Sequence, residues 1–176
     1  MIVTHRLPGA IIAALITLLI VSCNKSVTPV MVSKGVLDLR HIEQGDEFSV
    51  KMNGEWEFYF NKFLASSPSR GSDSLKPDCY GSVPAFWSDY RIDGKKLPGF
   101  GFATYRLHII LPPGYREALG FDLPVFDSSY DIYVNDRYYG GNGIPGTTEE
   151  NTEPGYSRNF FRLDPKSDTI SVIINV

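Results

Sequence analysis

Short segments in which apolar residues recur at every second position constrain the fold of this chain more than any other feature. The clearest segment reads ATYRLHIIL over residues 103–111. One of its faces carries Tyr105, Leu107, Ile109 and Leu111, and the other carries Arg106 and His108. A period of two is that of a β-strand whose two faces meet different environments. The segment therefore predicts a strand with one face in a core and one polar face.

Further alternating segments, and the turns that separate them, predict an all-β fold. GEWEFYF at 54–60 places Trp56, Phe58 and Phe60 on one face. Other strands are predicted at 36–39, 119–123, 130–134, 137–139 and 169–176, with loops at 61–83, 88–101 and 140–157. A short helix is expected within the first loop, near residues 62–65. We therefore predict an all-β, galactose-binding-domain-like jelly-roll β-sandwich. It is expected to lack its last strand, because the sequence stops at the end of the strand at 169–176.

Composition limits the class of protein. The chain has 176 residues, of which 43% are hydrophobic and 21% charged, which is enough apolar material for one folded domain. The formal net charge is −3, so the basic surface typical of nucleic-acid binding is not expected. Two Cys and three His are too few for a disulfide scaffold or a zinc framework.

The N-terminal segment predicts export. An apolar run over residues 7–21 is about 22 Å long as a helix, which is short for a bilayer core of about 30 Å and typical of a signal peptide. It ends in Ile-Val-Ser-Cys, which resembles the bacterial lipobox and implies lipid on Cys23. We predict a lipoprotein signal peptide at 1–22, a tether at 23–35, and a membrane-anchored location facing the periplasm or the exterior. An uncleaved anchor and an ordinary signal peptide are the alternatives.

Several motifs together resemble a family of bacterial receptors. They are Gly54–Tyr59, Val83-Pro84 with Trp87, Gly101–Leu107 with Leu111-Pro112, Tyr133–Asp136, Gly143 with Gly146 and Pro154, and Ile170–Asn175. Their order is similar to that of the extracellular jelly-roll domain of seven-transmembrane receptors with diverse intracellular signalling modules (the DISM family), over residues 37–176. The resemblance implies a ligand-binding sensory domain at 36–176. The family's transmembrane helices and signalling domain do not occur in this sequence, so a membrane signalling partner is implied. Asp136 replaces the family's hairpin glycine.

A second resemblance uses some of the same residues. The Gly-x-Trp-x-Phe start at Gly54, the Val83-Pro84 step, the Tyr105-Arg106 strand and the Val134-Asn135 hairpin are similar to the sugar-binding N-terminal domain of glycoside hydrolase family two. That family's catalytic carboxylates lie in a later barrel domain, so this resemblance also implies a non-catalytic domain. A structural lipoprotein without a ligand is the third alternative.

The sequence contains few features that indicate catalysis or metal binding. The sequence has no Gly-x-Ser-x-Gly, no His-Glu-x-x-His and no phosphate-binding loop. We therefore expect no enzyme activity and no cofactor. Asp127 and Asp131 are the weak candidates for a calcium site with oxygen ligands, although Asp side chains that stabilise a turn are the favoured interpretation.

Candidate binding residues follow from the chemistry of sugar recognition. Aromatic rings stack on the apolar faces of sugars, and polar or charged side chains bind the hydroxyl groups. Residues of these types in or near loops, or on polar strand faces, are Trp87, Tyr90, Arg91, Arg106, His108, Tyr138, Tyr139 and Tyr156. For Arg106 and His108, a satisfied salt bridge is the alternative. The predicted ligand is a small molecule or a carbohydrate, with no nucleic-acid partner.

Overall fold

The computed structural model describes residues 30–43, 45, 47–64, 75–125 and 128–176, and the fold is all-β, as predicted. The eleven strands of this part are β1 Val36–Asp38, β2 Gly54–Phe60, β3 Cys79–Val83, β4 Arg91–Ile92, β5 Lys95–Lys96, β6 Ala103–Ile110, β7 Leu119–Leu123, β8 Tyr130–Val134, β9 Arg137–Asn142, β10 Asn159–Leu163 and β11 Thr169–Asn175. Two short 3-10 turns lie at Trp87–Asp89 and Glu149–Asn151. In this part of the chain, no helix is long and apolar enough to cross a membrane.

Seven strands form one large sheet. Six of them follow the order β3-β2-β6-β11-β8-β9, and all these neighbours are antiparallel. The seventh, β1, pairs in parallel with the second half of β6, where Val36 lies opposite His108. Strands β2 and β1 thus share one edge of β6. The strand predicted most clearly from the sequence is therefore at the centre of the sheet, where both of its faces are covered.

A small sheet of β7 and β10 packs on one side of the large sheet and completes the sandwich. Phe121 and Leu163 from the small sheet join one buried cluster with Trp56, Leu107 and Ile132 from the large sheet. The cluster draws its members from β2, β6, β8 and β11, so it fixes the strand register, because a slip of one residue would bring polar side chains into the core. The predicted core face of GEWEFYF, which begins at Trp56, is confirmed.

The small sheet does not cover the whole core side of the large sheet. Around Phe58 and Ala103 the cover comes from the segment 84–101, which contributes Tyr90, Trp87 and Leu97. The Tyr90 ring lies where a Cβ on Gly81 would be, so β3 needs a glycine at that position. In this part of the sandwich, a connecting segment covers the core where a strand of the second sheet would otherwise lie.

Several predicted boundaries differ from the structure. No helix occurs at the described residues of 62–65, and four strands, β3, β4, β5 and β10, lie where loops or no element were predicted. The predicted tether also ends earlier than residue 35, because Val32 is buried in the main core and bridges Gly54. The segment is polar and has no apolar periodicity, so the sequence did not predict that the Val32 side chain would lie in the core.

The tight turns agree with the sequence. Asn135 and Asp136 connect β8 to β9 with φ values of 48° and 62°. Two consecutive positive φ values define the type I′ hairpin turn, which Asn and Asp tolerate. Asp93 and Gly94 connect β4 to β5 in the same way. The aspartate that replaces glycine at position 136 is thus compatible with the hairpin.

Candidate functional site

The candidate site is the outer face of the large sheet, the side that faces away from β7 and β10. It combines polar and aromatic side chains from five strands. Its members are Glu57, Tyr59, Thr104, Arg106, His108, Asp131, Tyr133, Tyr138, Ile173 and Asn175. Three of the eight predicted binding residues, Arg106, His108 and Tyr138, lie on this face. Side chains that are distant in sequence are brought together here by strand register.

One row of residues crosses the sheet from edge to edge. Neighbouring strands place Tyr80 opposite Glu57, Glu57 opposite Arg106, and Arg106 opposite Ile173. Ile173 in turn lies opposite Tyr133, and Tyr133 lies opposite Tyr138. Residues opposite one another on a sheet have Cβ atoms about 5 Å apart, so the row is a continuous line of contacts. It has an ion pair in its middle and exposed tyrosines at both ends.

The ion pair is buried. Arg106 is only 2% exposed, and its Nε lies 2.5 Å from Oε2 of Glu57. Its guanidinium also lies 5.1 Å from the centre of the Tyr59 ring, within the range of a cation–π contact. Burial, together with the nearby Glu57 carboxylate, raises the pKa of the Tyr59 phenol far above its usual range. The structure thus places Arg106 in the satisfied salt bridge that was the alternative to a ligand contact.

Segments on either side of residues 65–74 cover this part of the face. The backbone oxygen of Leu75 accepts a hydrogen bond from Arg106 Nη2 at 3.2 Å. The hydroxyl of Thr104 donates to Lys62 O or to Asn175 Oδ1, and it accepts from Leu64 N. These bonds satisfy polar groups of β6 and β11 that would otherwise be buried without partners. The half of the face next to β2 is therefore closed by the chain itself.

In the part of the chain that the structure describes, the half next to β9 is open to solvent at Tyr138. Tyr138 is 57% exposed, and its ring packs edge-on against Tyr133 with 5.4 Å between the ring centres. The Tyr138 hydroxyl and the Asp131 carboxylate lie close enough to influence each other's pKa. Burial raises the pKa of the Asp131 carboxyl, and the nearby Tyr138 hydroxyl partly offsets that rise. Two rings and a carboxylate are thus held together at the edge of the sheet.

His108 lies on β6, two residues beyond Arg106 and opposite Val36 of β1. Its Nε2 is 3.9 Å from Glu57 Oε2, and its side chain is partly exposed. His108 stands three strands from β9, a distance of about 14 Å at about 4.8 Å per strand. A ligand that reached both His108 and Tyr138 would therefore be extended across the strands.

The three candidates from the 84–101 segment do not join this face. Tyr90 is 8% exposed and donates its hydroxyl hydrogen bond to Ser82 O, so it is a packing residue. Trp87 is half-buried and donates from Nε1 to Pro98 O at 3.0 Å. Arg91 is exposed and bonds to Gly94 O within its own hairpin. Their position near loops in the sequence predicted that these side chains would be exposed. The small sheet leaves part of the core uncovered, and the rings of Tyr90 and Trp87 pack there instead.

The last two aromatic candidates are also separate from the outer face. A bulge in β9 makes Tyr139 an extra residue between Tyr138 and Gly140, and Tyr139 packs against the main core. Tyr156 is 72% exposed in the loop that precedes β10. The adjacent tyrosines at 138 and 139 therefore face opposite sides of the sheet.

Metal and lipid predictions fall largely outside the described residues. Cys23 and Asp127 lie outside them, and Asp131 lies beside the Tyr138 hydroxyl on the outer face. Among the residues that the structure describes, no group of three or more His, Cys, Asp and Glu side chains could hold a metal ion.

Sequence reasoning did not select two important members of the outer face, Glu57 and Tyr133. The polar alternation of GEWEFYF placed Glu57 on the wet side of β2, but it did not indicate which strand would pair there. Tyr133 stands two positions before Asn135, where the hairpin turn begins, and an aromatic residue at that place is a signal for a cross-strand ring pair.

Comparisons with known proteins place the fold but no family. No protein-family model matches the sequence, and no curated protein matches it. Among solved structures, the β-glucuronidase of an uncultured Clostridium sp. is similar over 71% of this chain, with a TM-score of 0.50 and 14% identity. The β-glucuronidases of Faecalibacterium prausnitzii and Ruminococcus gnavus cover 70%, both at 16% identity, with TM-scores of 0.49 and 0.47. This chain spans about a fifth of the length of each. The likeness shows a β-sandwich like one domain of these proteins.

Proposed function

We propose that this chain is a non-catalytic, extracytoplasmic sensory domain that binds a carbohydrate on the open half of its outer face. The observation that carries the proposal is the cluster of Tyr133, Tyr138 and Asp131. Two rings with an apolar surface stand beside a carboxylate that can accept hydrogen bonds from sugar hydroxyls. The three residues lie on neighbouring antiparallel strands, so the site is rigid before ligand arrives.

The rest of the outer face supports a binding role. The ion pair of Arg106 and Glu57 lies in the same cross-strand row and is already satisfied internally. Its function in this proposal is to fix the sheet beneath the site. His108 is the partly exposed polar group that an extended ligand would reach next. A carbohydrate of more than one ring matches the distance of about 14 Å between the two ends.

The proposed location and role rest on sequence resemblance. Lipid at Cys23 would hold the domain at a membrane, facing the periplasm or the exterior. The motifs shared with DISM receptors suggest that ligand binding biases a signalling partner, which requires a ligand that binds two states of the assembly with different affinity. The alternative is that the chain is similar to the sugar-binding domain of family-two glycosidases. It leads to the same site and the same absence of catalysis.

Glycan binding by the full chain, purified in mild detergent, tests this function. A glycan array identifies a ligand, and calorimetry then measures its affinity for Tyr138→Ala and for Tyr156→Ala, a matched change at an exposed tyrosine in another loop. We expect Tyr138→Ala to weaken binding tenfold or more and Tyr156→Ala to leave it unchanged. The reverse order would move the site to the 143–157 loop. No binding by a folded protein would refute the function.

Two further measurements separate the parts of the proposal. Hydrolysis of p-nitrophenyl glycosides, the glucuronide included, is expected to equal that of a buffer blank, and turnover above it would refute the non-catalytic role. Cys23→Ala is expected to release the chain from the membrane fraction, with Cys79→Ala as the matched control. Continued membrane association of Cys23→Ala would contradict the lipid anchor without affecting the glycan site.

A further inference from the structure

A groove on the other side of the molecule runs along the open edge of β7. Its volume is about 570 Å³, which is within the range of ligand sites in proteins. Six consecutive residues, 117–122, form one wall, and residues 47–50 and Met52 contribute to the opposite wall. The floor is apolar and consists of the buried side chains of Leu37, Leu39, Ile109 and Leu163.

The groove exists because the two sheets differ in size. Seven strands face two, and β7 has β10 as its strand partner on one side. In the part of the chain that the structure describes, no backbone hydrogen bond joins residues 117–123 to any segment other than β10. Among the described residues, the edge of β7 away from β10 thus has no strand partner, and an open strand edge of this kind pairs readily with another strand.

The charge of the groove selects its occupant. Its described lining residues include three carboxylates, those of Glu47, Glu117 and Asp122, and no Lys, Arg or His. Asp122 is already paired with Arg158, which leaves Glu47 and Glu117 to attract a positive charge. Two copies of β7 placed edge to edge would bring like charges together. The groove is thus better suited to a basic strand than to a second copy of this chain.

We propose that this groove binds an extended peptide segment of a partner protein by strand addition to β7. The segment alternates apolar side chains, which enter the groove, with Lys or Arg side chains, which meet Glu47 and Glu117. The strand β7, five residues from Leu119 to Leu123, extends over about 17 Å, which sets the length of the strand that can pair with it. Backbone hydrogen bonds to the β7 edge give affinity, and the alternating pockets and charges give specificity.

The test uses a capped eight-residue peptide of alternating Val and Lys and the full chain in mild detergent. We expect saturable binding by fluorescence anisotropy, with amide hydrogen exchange slowed at residues 117–123. A Lys–Pro peptide of equal charge cannot form the strand pairing and is expected to bind at least tenfold more weakly. Equal binding of the two peptides, or unchanged exchange at β7, would overturn strand addition.

Charge reversal provides the matched variants. Glu47 and Glu117 are both exposed, so Glu47→Lys with Glu117→Lys is expected to leave the fold intact, as checked by circular dichroism. The double variant should bind the Val–Lys peptide at least tenfold more weakly and gain affinity for a Val–Glu peptide. Glu149→Lys with Glu150→Lys makes the same charge change in an exposed loop and should alter neither. Three results would each refute the proposal. The first is an equal loss of Val–Lys affinity in the two double variants, and the second is dimerisation of the chain through the groove. The third is hexylamine binding as tight as that of the Val–Lys peptide.

Discussion

Arg106 and Glu57 form a buried ion pair across neighbouring strands, with Nε 2.5 Å from Oε2. In the sequence, each residue lies on the polar side of its strand, the side that the alternation predicts to face water. The chain covers them with Leu75 on one side and with the Tyr59 ring on the other. The outer face is therefore polar in composition, yet the chain closes the half of it that is next to β2. The stability of the fold depends on the polar contacts that are satisfied there.

Removing one partner of this pair should destabilise the fold strongly. In Arg106→Met the Glu57 carboxylate loses its buried counter-charge, and a lost buried partner costs about 3–5 kcal/mol. We expect the free energy of unfolding to fall by about 3 kcal/mol for Arg106→Met. Urea denaturation followed by circular dichroism measures it.

The double variant Arg106→Met with Glu57→Gln is the control for this prediction. Removing both charges leaves no unpaired ion, so its loss should be smaller than the sum of the two single losses, with a coupling energy of about 1–3 kcal/mol. Simple additivity of the two single variants would show that the residues do not stabilise each other.

Strand periodicity predicted the centre of the fold well. ATYRLHIIL and TISVIINV carry strong alternation, and they became β6 and β11, which are adjacent in the sheet. The Asn135-Asp136 turn was predictable because both residue types tolerate the positive φ values that the turn requires. Local patterns of this kind need no knowledge of the partner strand.

The parts that were not predicted depend on contacts between distant segments. β3 contains Gly81 beneath the Tyr90 ring, and β10 contains Phe160, whose ring lies over Gly120 and stays exposed. In both cases a glycine on one segment packs against an aromatic ring on another. On the outer face, the register that joins Glu57 to Arg106 and Tyr133 to Tyr138 is a property of the assembled sheet.

The glycine beneath Tyr90 gives a direct test of this packing. A methyl group at position 81 would overlap the ring of Tyr90, which is buried and cannot move without disturbing Phe58. Overpacking of this kind costs about 1–3 kcal/mol, so Gly81→Ala should lower the midpoint of urea denaturation. Gly99→Ala is the matched control, because nothing lies within 4 Å of its added methyl group. Equal midpoints for the two variants would contradict the described contact.

Asp131 should make the stability of the protein depend on pH. Burial raises the pKa of its carboxyl above the ordinary 3.8, so the folded protein holds the proton where the unfolded chain has lost it. Stability from this group is thus present below pH 3.8 and is lost as pH rises through the raised value. Asp131→Asn cannot ionise and still offers an oxygen to Tyr138.

The stability of Asp131→Asn relative to wild type should therefore increase between pH 3 and pH 7. Urea denaturation across this range measures the difference. Asp136→Asn, at the exposed hairpin turn, controls for the loss of one negative charge. A difference that is constant with pH, or that grows equally for the control, would contradict a raised pKa for the partly buried carboxyl of Asp131.

Cys79 should react slowly with thiol reagents in the folded protein. It is a half-buried free cysteine that packs beside Phe58 and Tyr105, and burial raises the pKa of its thiol, with a smaller contribution from the Asp78 carboxylate. The thiolate is the reactive form, so its low population and restricted access both slow the reaction. We expect the rate with Ellman's reagent at pH 8 to be at least tenfold lower in buffer than in urea. Cys79→Ser assigns the signal, since any reaction that survives in it belongs to Cys23. A native rate equal to the unfolded rate would show that the 84–101 segment does not cover β3 in solution.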